Sequence, residues 1–589
     1  MNKKLALGML FLLIGFGALP AFAQISNITH VILVIQENRT PDNLFQDPII
    51  INHGAEILPG NDLSGESPAY ASCVNGNVYL QPLNKLDPCF DPQHGHSGSF
   101  NSTEDGGAWD GACTITIDYD PATCTLPTST PYANYTYVTN YASSPSAGIL
   151  DPYFQLAEQY GFANYMFQTN EGPSFLAHQF LFSGTSAPEG YSTSDTNYQL
   201  FAAENPTPGQ LSGCASAGPS TGNPGTLVED ISSVTGGEGY DYQPPYYYDL
   251  VEAAYGYPCY DHASMANLLD NGGITWKYYT NYPPSANTIW TAPNAFYKIC
   301  GYHPGQDGDQ GACVNNTANN DWDKVDYQTY GDILNDINNT DCTALKNVSW
   351  VIPDGHWSDH PGGLANGFGD GGPSWAAAIV NAVGDSTCGY WNNTVILVVW
   401  DDWGGWYDHI QPYTTGGYIG GSNHNGQSYV YGLRVPLLVV SGYTKTSTDG
   451  GDGYTGYISG TSTQGGENDG QYVHDFGSIL GFIEHVFGLD TATGFCGIAG
   501  SDSDYPEGCN YPYADYFAPD GPHDTECGVT LCPYPLSDFF DFTDSVNAFH
   551  TIEGAKYAPD CFTDPSRDTC FGTDFEPASP DMDDVHPQN

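Results

Sequence analysis

The chain has 589 residues, of which 68 are Asp or Glu and only 12 are Lys or Arg, so its formal net charge is −56. Nucleic acids and anionic membrane surfaces are bound largely through clustered Lys and Arg, and this charge balance excludes both as expected partners. The hydrophobic fraction of 40% can form a large core, whereas 70 Gly, 42 Pro and 43 Tyr predict long loops around it.

The strong negative charge also bears on the environment in which the protein works. Surface carboxylates repel one another at neutral pH and lose their charge near pH 4. We hypothesise an acidic or saline exterior, and the alternative is that the charge only keeps the chain soluble. A maximum of thermal stability near pH 8 at low salt would contradict acid adaptation.

The N-terminus has the pattern of a secretory signal. Lys3 and Lys4 precede an apolar stretch from Leu5 to Phe16, and Ala21-Phe22-Ala23 has the small-x-small pattern of a cleavage site. We therefore expect residues 1–23 to be removed and the protein to be secreted. No later segment has about 20 continuous apolar residues, so no transmembrane span is predicted.

The 16 cysteines are an even number, which in an exported protein predicts up to eight disulfides. No Cys-x-x-Cys occurs, so a zinc ribbon is not supported. The connectivity is open, but several cysteines lie close in sequence: Cys113 and Cys124, Cys300 and Cys313, Cys496 and Cys509, Cys527 and Cys532, and Cys561 and Cys570.

Apolar runs predict four core strands, and helical spacing predicts helices between and after them. Strands alternating with helices favour an α/β fold with a mostly parallel sheet covered on both faces. Asp151 and Ser374 are predicted N-caps. The predicted strands cover 29–36, 348–352, 394–400 and 434–440, the helices cover 151–160, 374–383 and 476–487, and loop insertions cover 50–130, 205–260 and 445–472.

The third strand ends in two adjacent carboxylates, Asp401 and Asp402, followed by a glycine pair. Ligands of open α/β sheets bind just beyond the carboxyl ends of strands. Two anions resist burial at such a point unless a cation or a shared proton compensates them. A metal site is the simplest interpretation, and a solvated turn is the alternative.

Glu37 and Asn38 end the first strand in the same way. If the two strands are neighbours, three carboxylates and an amide oxygen converge, which suits a divalent cation. Adjacent residues of a strand point to opposite faces, so the turn after each strand must reorient one side chain.

Ser174 follows Gly-Pro at a predicted helix N-terminus, where the helix dipole and backbone amides favour an anion. It is a candidate nucleophile, and the alternative is an ordinary N-cap. Histidines near these segments could contact a phosphate, bind metal or act as general acid, or each could be structural. The histidines are His94, His96, His360, which follows Asp359, and His409, and His178 in the segment that follows Ser174 is a further candidate.

Other catalytic motifs are weak or missing. Residues 367–372 match the spacing of a dinucleotide-binding loop, but no strand precedes them closely. The sequence has no Gly-Lys phosphate loop, no His-Glu-x-x-His and no Gly-x-Ser-x-Gly. Lipase and zinc-protease mechanisms therefore lose support.

Five blocks in order resemble the bacterial phosphoesterase family of phospholipase C and acid phosphatase, over roughly residues 28 to 490. The first resembles the family's His-Val-Val-x-x-x-Gln-Glu-Asn-Arg-Ser opening. The blocks are His30-Val-Ile-Leu-Val-Ile-Gln-Glu-Asn-Arg-Thr40, Gly172-Pro-Ser174 with Ser183-Gly184, Ser358-Asp-His-Pro361, Asp401-Asp-Trp-Gly-Gly405 with Tyr407-Asp-His409, and Arg434-Val-Pro436.

The resemblance implies an alkaline phosphatase-like α/β/α sandwich with its site at the strand ends. It implies that a divalent metal ion is held by Glu37, Asn38, Asp401 and Asp402. Ser174 matches the nucleophile that forms a phospho-enzyme, and His360 and His94 match histidines that contact the phosphate or protonate the leaving group. The resemblance assigns no role to His409, and Asp359 is a further candidate.

One departure from the family pattern lies next to the nucleophile. Where the phospholipase branch has x-Pro-Asn-Arg, this chain has Phe-Leu-Ala-His178, so a histidine stands in place of the arginine. A contact that the arginine carries in the family is therefore in doubt here.

We predict a secreted, metal-dependent phosphoesterase acting on a small phosphate ester or a phospholipid headgroup, with no protein partner expected. Residues 24–495 would form the catalytic domain and 496–589 a Cys-rich extension. An inactive binding or surface protein on the same scaffold is the alternative, although the proposed ligands and Ser174 are all present. A glycoside hydrolase with a carboxylate pair is a third possibility that nothing independently supports.

Overall fold

A computed structural model describes most of the predicted catalytic domain and part of the extension. The predicted signal peptide and nearly all of 205–260 lie outside it. The described residues are 25–60, 70–144, 147–184, 205, 264–280, 289–300, 313, 321–326, 332–361, 369–412, 431–448, 450–460, 473–489, 536–543, 545–563 and 570.

The strands, in chain order, are β1 His30–Gln36, β2 Gln81–Leu83, β3 Phe90–Pro92, β4 Ile117–Tyr119, β5 Thr136–Val138, β6 Ala142–Ser144, β7 Ala147–Gly148, β8 Gly161–Ala163, β9 Met166–Phe167, β10 Trp276–Tyr279, β11 Val325–Asp326, β12 Val348–Val351, β13 Thr394–Trp400, β14 Leu437–Ser441, β15 Tyr457–Ser459 and β16 His474–Asp475. The helices are α1 Pro41–Leu44, α2 Pro48–Asn52, α3 Asn101–Glu104, α4 Asp151–Gln159, α5 Ser174–Ser183, α6 Met265–Gly272, α7 Tyr297–Cys300, α8 Asp332–Ile337, α9 Gly372–Asp385 and α10 Phe476–Phe487.

A central eight-stranded sheet has the order β11-β10-β12-β1-β13-β14-β8-β15. The four predicted core strands are its adjacent members β12, β1, β13 and β14, which confirms a mixed α/β fold with a large sheet. The sheet is mostly parallel, but β14 runs antiparallel to both of its neighbours. An apolar run such as that of β14 encodes burial and does not encode strand direction.

Strands β1 and β13 pair in parallel along their whole length, from His30 opposite Thr394 to Gln36 opposite Trp400. Every residue of β13 is buried, as expected for a parallel strand covered on both faces. This register brings the two polar strand ends to the same level.

Two predicted N-caps are wrong. Helix α4 is preceded by Leu150, and Asp151 lies in its first turn, where its carboxylate accepts from the Gly148 amide. Helix α9 begins at Gly372, two residues before Ser374, whose hydroxyl instead accepts from the amides of Lys556 and Tyr557. Tertiary contacts outside the helix therefore take the side chains that the sequence offered as caps.

Residues 70–144, which include most of the first predicted insertion (50–130), form small sheets and contribute most of two further apolar clusters. Disulfides Cys73–Cys113 and Cys89–Cys124 hold this segment together. Trp403 and Trp406, just after β13, are fully buried in one of these clusters. The insertion therefore packs over the segment that follows the predicted carboxylate pair.

The described part of the C-terminal extension contributes Phe539, Phe540 and Phe562 to the main core. Further disulfides join Cys300 to Cys313, Cys342 to Cys388 and Cys561 to Cys570. Such bonds fit a chain that folds in an oxidising compartment. Among the described helices, none is both long and apolar enough to span a membrane.

Candidate active site

Four predicted ligands come together at the ends of β1 and β13. Because Gln36 pairs with Trp400, the residues that follow, Glu37 and Asn38 on one strand and Asp401 and Asp402 on the other, emerge side by side. All four are fully buried. The convergence that the sequence predicted for neighbouring strands is therefore present.

The turn after β1 reorients Asn38, which has a φ of 57°. Asn tolerates this left-handed region better than most residues. The amides of Asn38 and Asp402 both donate to Oδ1 of Asp401, over 3.0 and 2.7 Å respectively. Asp401 therefore fixes the backbone of both strand ends.

The glycine pair after the carboxylates allows a close approach of the chain to Asn38. Gly404 has a φ of 59°, and its amide donates to Oδ1 of Asp402 over 2.7 Å. A Cβ at this position would lie 2.6 Å from both the Cβ and the carbonyl oxygen of Asn38. Only glycine fits without displacing a proposed ligand.

Ser174 is the first residue of α5, and Pro173 is the cap residue. The hydroxyl of Ser174 donates to Oδ2 of Asp402 over 2.9 Å and lies 3.4 Å from Oδ1 of Asn38. The interpretation of Ser174 as an ordinary N-cap is therefore wrong. The amide of Phe175 donates to Oδ1 of Asn205, so this first-turn amide already has an acceptor within the protein.

His178 lies one helical turn after Ser174 on α5 and is buried. Its Nε2 is 3.1 Å from Oε1 of Glu37 and 3.7 Å from Oδ2 of Asp401. The histidine that replaces the family's arginine thus lies inside the group of predicted metal ligands.

His94 contacts the same group from the first insertion. Its Nε2 lies 3.0 Å from Nδ2 of Asn38 and 3.9 Å from Oδ1 of Asp402, while Nδ1 lies 3.0 Å from the Pro92 carbonyl oxygen. A carbonyl oxygen only accepts, so Nδ1 is the donor in that contact, and Nε2 faces the amide nitrogen of Asn38. This arrangement turns the Asn38 amide oxygen toward Ser174.

His360 lies beside His94, with 6.4 Å between the ring centroids, and its ring is 5.8 Å from that of Trp290. Its Nδ1 donates to the Pro361 carbonyl oxygen over 2.7 Å. With Nδ1 so held, Nε2 is the nitrogen that could exchange a proton with a substrate.

Asp359 lies apart from the predicted ligands although it adjoins His360 in sequence. Its Oδ2 accepts from the Tyr153 hydroxyl and from Nε1 of Trp400. Burial raises the pKa of Asp359 to about 6, against the opposing effect of Arg39. These contacts indicate that Asp359 holds the loop of His360 in position and is not itself one of the predicted ligands.

His409 belongs to a second acidic group, in which His409 and Arg434 face the carboxylates of Asp42 and Asp408. Its Nδ1 lies 2.8 Å from Oδ2 of Asp42, and the guanidinium of Arg434 donates to both oxygens of Asp408. Burial lowers the pKa of His409, but the attraction of Asp42 outweighs it and the net shift is upward. The structure therefore places His409 outside the Ser174 group.

The first group has the donor chemistry of a divalent cation site. Three carboxylates, an amide oxygen and an imidazole nitrogen are ligand types that such ions accept. Single ligand atoms of Glu37, His178 and Asp401 lie within 4.8 Å of one another. Oδ2 of Asp401 is buried and accepts no hydrogen bond from any residue that the structure describes.

Sequence reasoning gave no role to Arg39 or Asp42. Arg39 is buried and donates to the carbonyl oxygens of Asp359 and Leu86 and to Oδ1 of Asn43, which ties the end of β1 to the loop of His360. Its place directly after Glu37-Asn38 was the available signal. Asp42 lies in α1, and only its closeness in sequence to Glu37-Asn38 could have marked it as a functional residue.

Residues 28–490 match the family described as the Phosphoesterase family. The chain belongs to the phosphoesterase family. This confirms the family that the sequence motifs indicated, and it supports the predicted enzyme class, a hydrolase of phosphoric esters.

Two curated relatives of this chain are each named non-hemolytic phospholipase C. The protein from Burkholderia pseudomallei is 26% identical over 220 residues, which cover 33% of this chain and 29% of the relative. The protein from Pseudomonas aeruginosa is 25% identical over 169 residues, which cover 25% and 20% respectively. The chain thus matches less than a third of the length of either relative.

Proposed function

We propose that this chain is a secreted, metal-dependent phosphoesterase with Ser174 as its nucleophile. The observation that carries the proposal is the hydrogen bond of 2.9 Å from the Ser174 hydroxyl to Asp402, inside a buried group of carboxylates at the strand ends. Membership of the phosphoesterase family supports the reaction class. Secretion is supported by the predicted signal sequence and the disulfides.

Glu37, Asn38, Asp401 and Asp402 would hold the cation. When bound there, a divalent ion would neutralise charge on the phosphoryl oxygens and lower the pKa of a nearby hydroxyl. Without it, three carboxylates in a fully buried group repel one another and lack hydration. The donor set supports metal dependence and leaves the identity and number of ions open.

Ser174 would attack phosphorus in line, forming an Oγ–P bond as the bond from phosphorus to the leaving oxygen breaks. The hydroxyl proton already points to Asp402, which can accept it. His360 would give a proton to the leaving oxygen through Nε2. Water would then hydrolyse the phosphoserine and release phosphate or a phosphate monoester.

His94 would act by positioning. Because its Nδ1 is held by the Pro92 carbonyl, its Nε2 fixes the amide of Asn38 with the oxygen toward Ser174. Asp359 would support His360 in a similar way. The sequence-based prediction of direct phosphate contact by His94 is thus replaced by an indirect role in this proposal.

The substrate would be a small phosphate ester or a phospholipid headgroup. The names of the two curated relatives favour a phosphodiester of the phospholipase C type, whereas a phosphomonoesterase would use the same residues. We also propose an alkaline phosphatase-like sandwich for residues 24–495, with residues 496–589 as an extension. The order of the central strands and the site at their ends support this assignment.

The test is hydrolysis of p-nitrophenyl phosphate and p-nitrophenyl phosphorylcholine, across acidic to neutral pH and with or without chelator. We expect Ser174→Ala to reduce kcat at least about a thousandfold, while the control Ser102→Ala, at a half-buried position whose hydroxyl donates to the Gly98 carbonyl, retains full activity. Acid quenching during turnover should trap one phosphoryl group on the peptide that contains Ser174. Full activity of Ser174→Ala, or a phosphoryl group on another residue, would overturn the mechanism.

A further inference from the structure

His178 and Ser174 project from the same face of α5, because residues four apart lie one above the other on a helix. The helix begins at Ser174 and both side chains are buried. Helix α5 therefore places the hydroxyl of Ser174 and the imidazole of His178 at the ends of β1 and β13.

The distances around His178 are close to those between ligands of one ion. Ligand atoms about 2.0 to 2.2 Å from a metal ion lie about 3 to 3.5 Å from one another. Nε2 of His178 is 3.1 Å from Oε1 of Glu37, which lies within this range, and 3.7 Å from Oδ2 of Asp401, which is slightly longer. The second of these oxygens is the buried atom that accepts no hydrogen bond from the described residues.

The competing explanation is a protonated His178 that bridges two carboxylates as an ion pair. One imidazolium would compensate only one of the three buried carboxylates Glu37, Asp401 and Asp402. A neutral imidazole with a divalent ion compensates two, and the imidazole nitrogen is itself a ligand. The charge balance therefore favours a cation over a proton.

We infer that His178 is a nitrogen ligand of the cation, together with Glu37 and Asp401, and that it makes the site select ions such as Zn²⁺ over Mg²⁺ and Ca²⁺. Imidazole suits transition ions, whereas Mg²⁺ and Ca²⁺ prefer oxygen donors. The inference rests on the proposed function only in taking the group as a cation site. An arginine at this position could not act as a ligand because it stays protonated.

The experiment uses the full secreted chain, stripped of metal and reloaded with Cu²⁺ as a spectroscopic probe. Pulsed electron paramagnetic resonance detects the remote nitrogen of an imidazole bound to Cu²⁺. We expect this signal in the parent protein, a change of its pattern on ¹⁵N-histidine labelling, and its loss in His178→Gln. The exposed-site control His550→Gln should keep the signal.

Calorimetric titration of the stripped proteins with Zn²⁺ and Mg²⁺ gives the second readout. His178→Gln should weaken Zn²⁺ binding at least about tenfold and change Mg²⁺ binding less. His178→Asn, a smaller substitution, guards against misfolding of the first variant, with circular dichroism as the check. The ¹⁵N experiment requires no substitution.

An imidazole signal that persists in both His178 variants would assign the nitrogen to another histidine and overturn the inference. Absence of the signal in the parent, or equal loss of Zn²⁺ and Mg²⁺ affinity, would also overturn it. These results are independent of phosphoester hydrolysis. A chain that binds Cu²⁺ through His178 but cleaves no ester would overturn the proposed function alone, and an active enzyme without the signal would overturn this inference alone.

Discussion

Two groups of buried acidic side chains follow the same two strands, β1 and β13. The groups differ in what compensates their negative charge. In the group of Asp42 and Asp408, the chain supplies its own cations, Arg434 and His409. In the group of Asp401, the described residues provide two imidazoles: His178 beside Glu37 and Asp401, and His94 at 3.9 Å from Asp402. Acidic clusters alone thus do not identify a metal site, and the protein's own cations decide between an ion network and a ligand set.

The largest expected difference between the two groups is in activity. Asp401→Asn should reduce kcat/KM for p-nitrophenyl esters at least about a thousandfold, because a proposed ligand loses its charge. Asp408→Asn should retain most activity per folded molecule, measured at a temperature where both variants are folded. Equal losses of activity in the two variants would show that the two acidic groups do not differ in their role in catalysis.

The order of the two variants should reverse for stability: Asp408→Asn should lose more folding stability than Asp401→Asn. Asp408→Asn leaves Arg434 buried with only part of its compensation, so the free energy of unfolding should fall by about 3 kcal/mol. In metal-free protein, Asp401→Asn should leave it unchanged or raise it, because one of three buried anions is removed. Urea denaturation of both variants measures the difference, and a loss of similar size for Asp401→Asn would show that the first group is also a structural network.

The close approach at Gly404 gives a geometric test of the first group. Gly404→Ala combines a φ of 59° with a Cβ 2.6 Å from Asn38, so we expect a loss of about 2 kcal/mol in stability together with reduced activity. Gly450→Ala, where a Cβ would meet nothing within 4 Å, is the matched control. Normal activity of Gly404→Ala would show that the position of Asn38 does not matter.

The smallest expected effect concerns pH. Asp359 has a pKa of about 6 in the folded protein, raised by burial, and near 4 when unfolded. The folded state binds the extra proton between these values, so this group favours folding at low pH and its contribution is lost as the pH rises through about 6. Asp359→Asn should flatten the fall in stability between pH 4 and 7 by about 2 kcal/mol.

Two other carboxylates should act in the same direction. Burial raises the pKa of Asp475 to about 6, and burial with nearby carboxylates raises that of Glu158 to about 7. Their contributions also decline as the pH rises, which is the direction that the acid-adaptation hypothesis requires. A stability profile of the parent chain that rises steadily from pH 4 to pH 8 would contradict both.

Much of the site could be predicted because its residues stand at the ends of continuous apolar strands. The polarity break at Glu37-Asn38 and at Asp401-Asp402 marks where a buried strand meets a ligand-binding edge. The role of Ser174 as an N-cap could not be excluded from sequence, because capping and catalysis use the same residue type at the same helix position. The direction of its hydroxyl toward Asp402 decided against the cap.

Residues adjacent in sequence were the least predictable. Asp359 and His360 are neighbours, yet Asp359 bonds to Tyr153 and Trp400 while His360 lies beside His94. Asp402 contacts Ser174, and Asp408 six residues later pairs with Arg434. In a turn the backbone can direct successive side chains to different surroundings, so spacing alone does not say which of them share a site.

By itself, the sequence determined which segments are buried strands and which polar residues end them, because burial and strand length are local properties of composition and periodicity. Only the tertiary structure decided that β1 and β13 are neighbours in a register that aligns Glu37 with Asp401, and that His178 joins them from α5. Strand pairing brings together residues more than 300 positions apart, and the packing of α5 brings His178 to Glu37 over 141 positions. No local pattern in the chain encodes those distances.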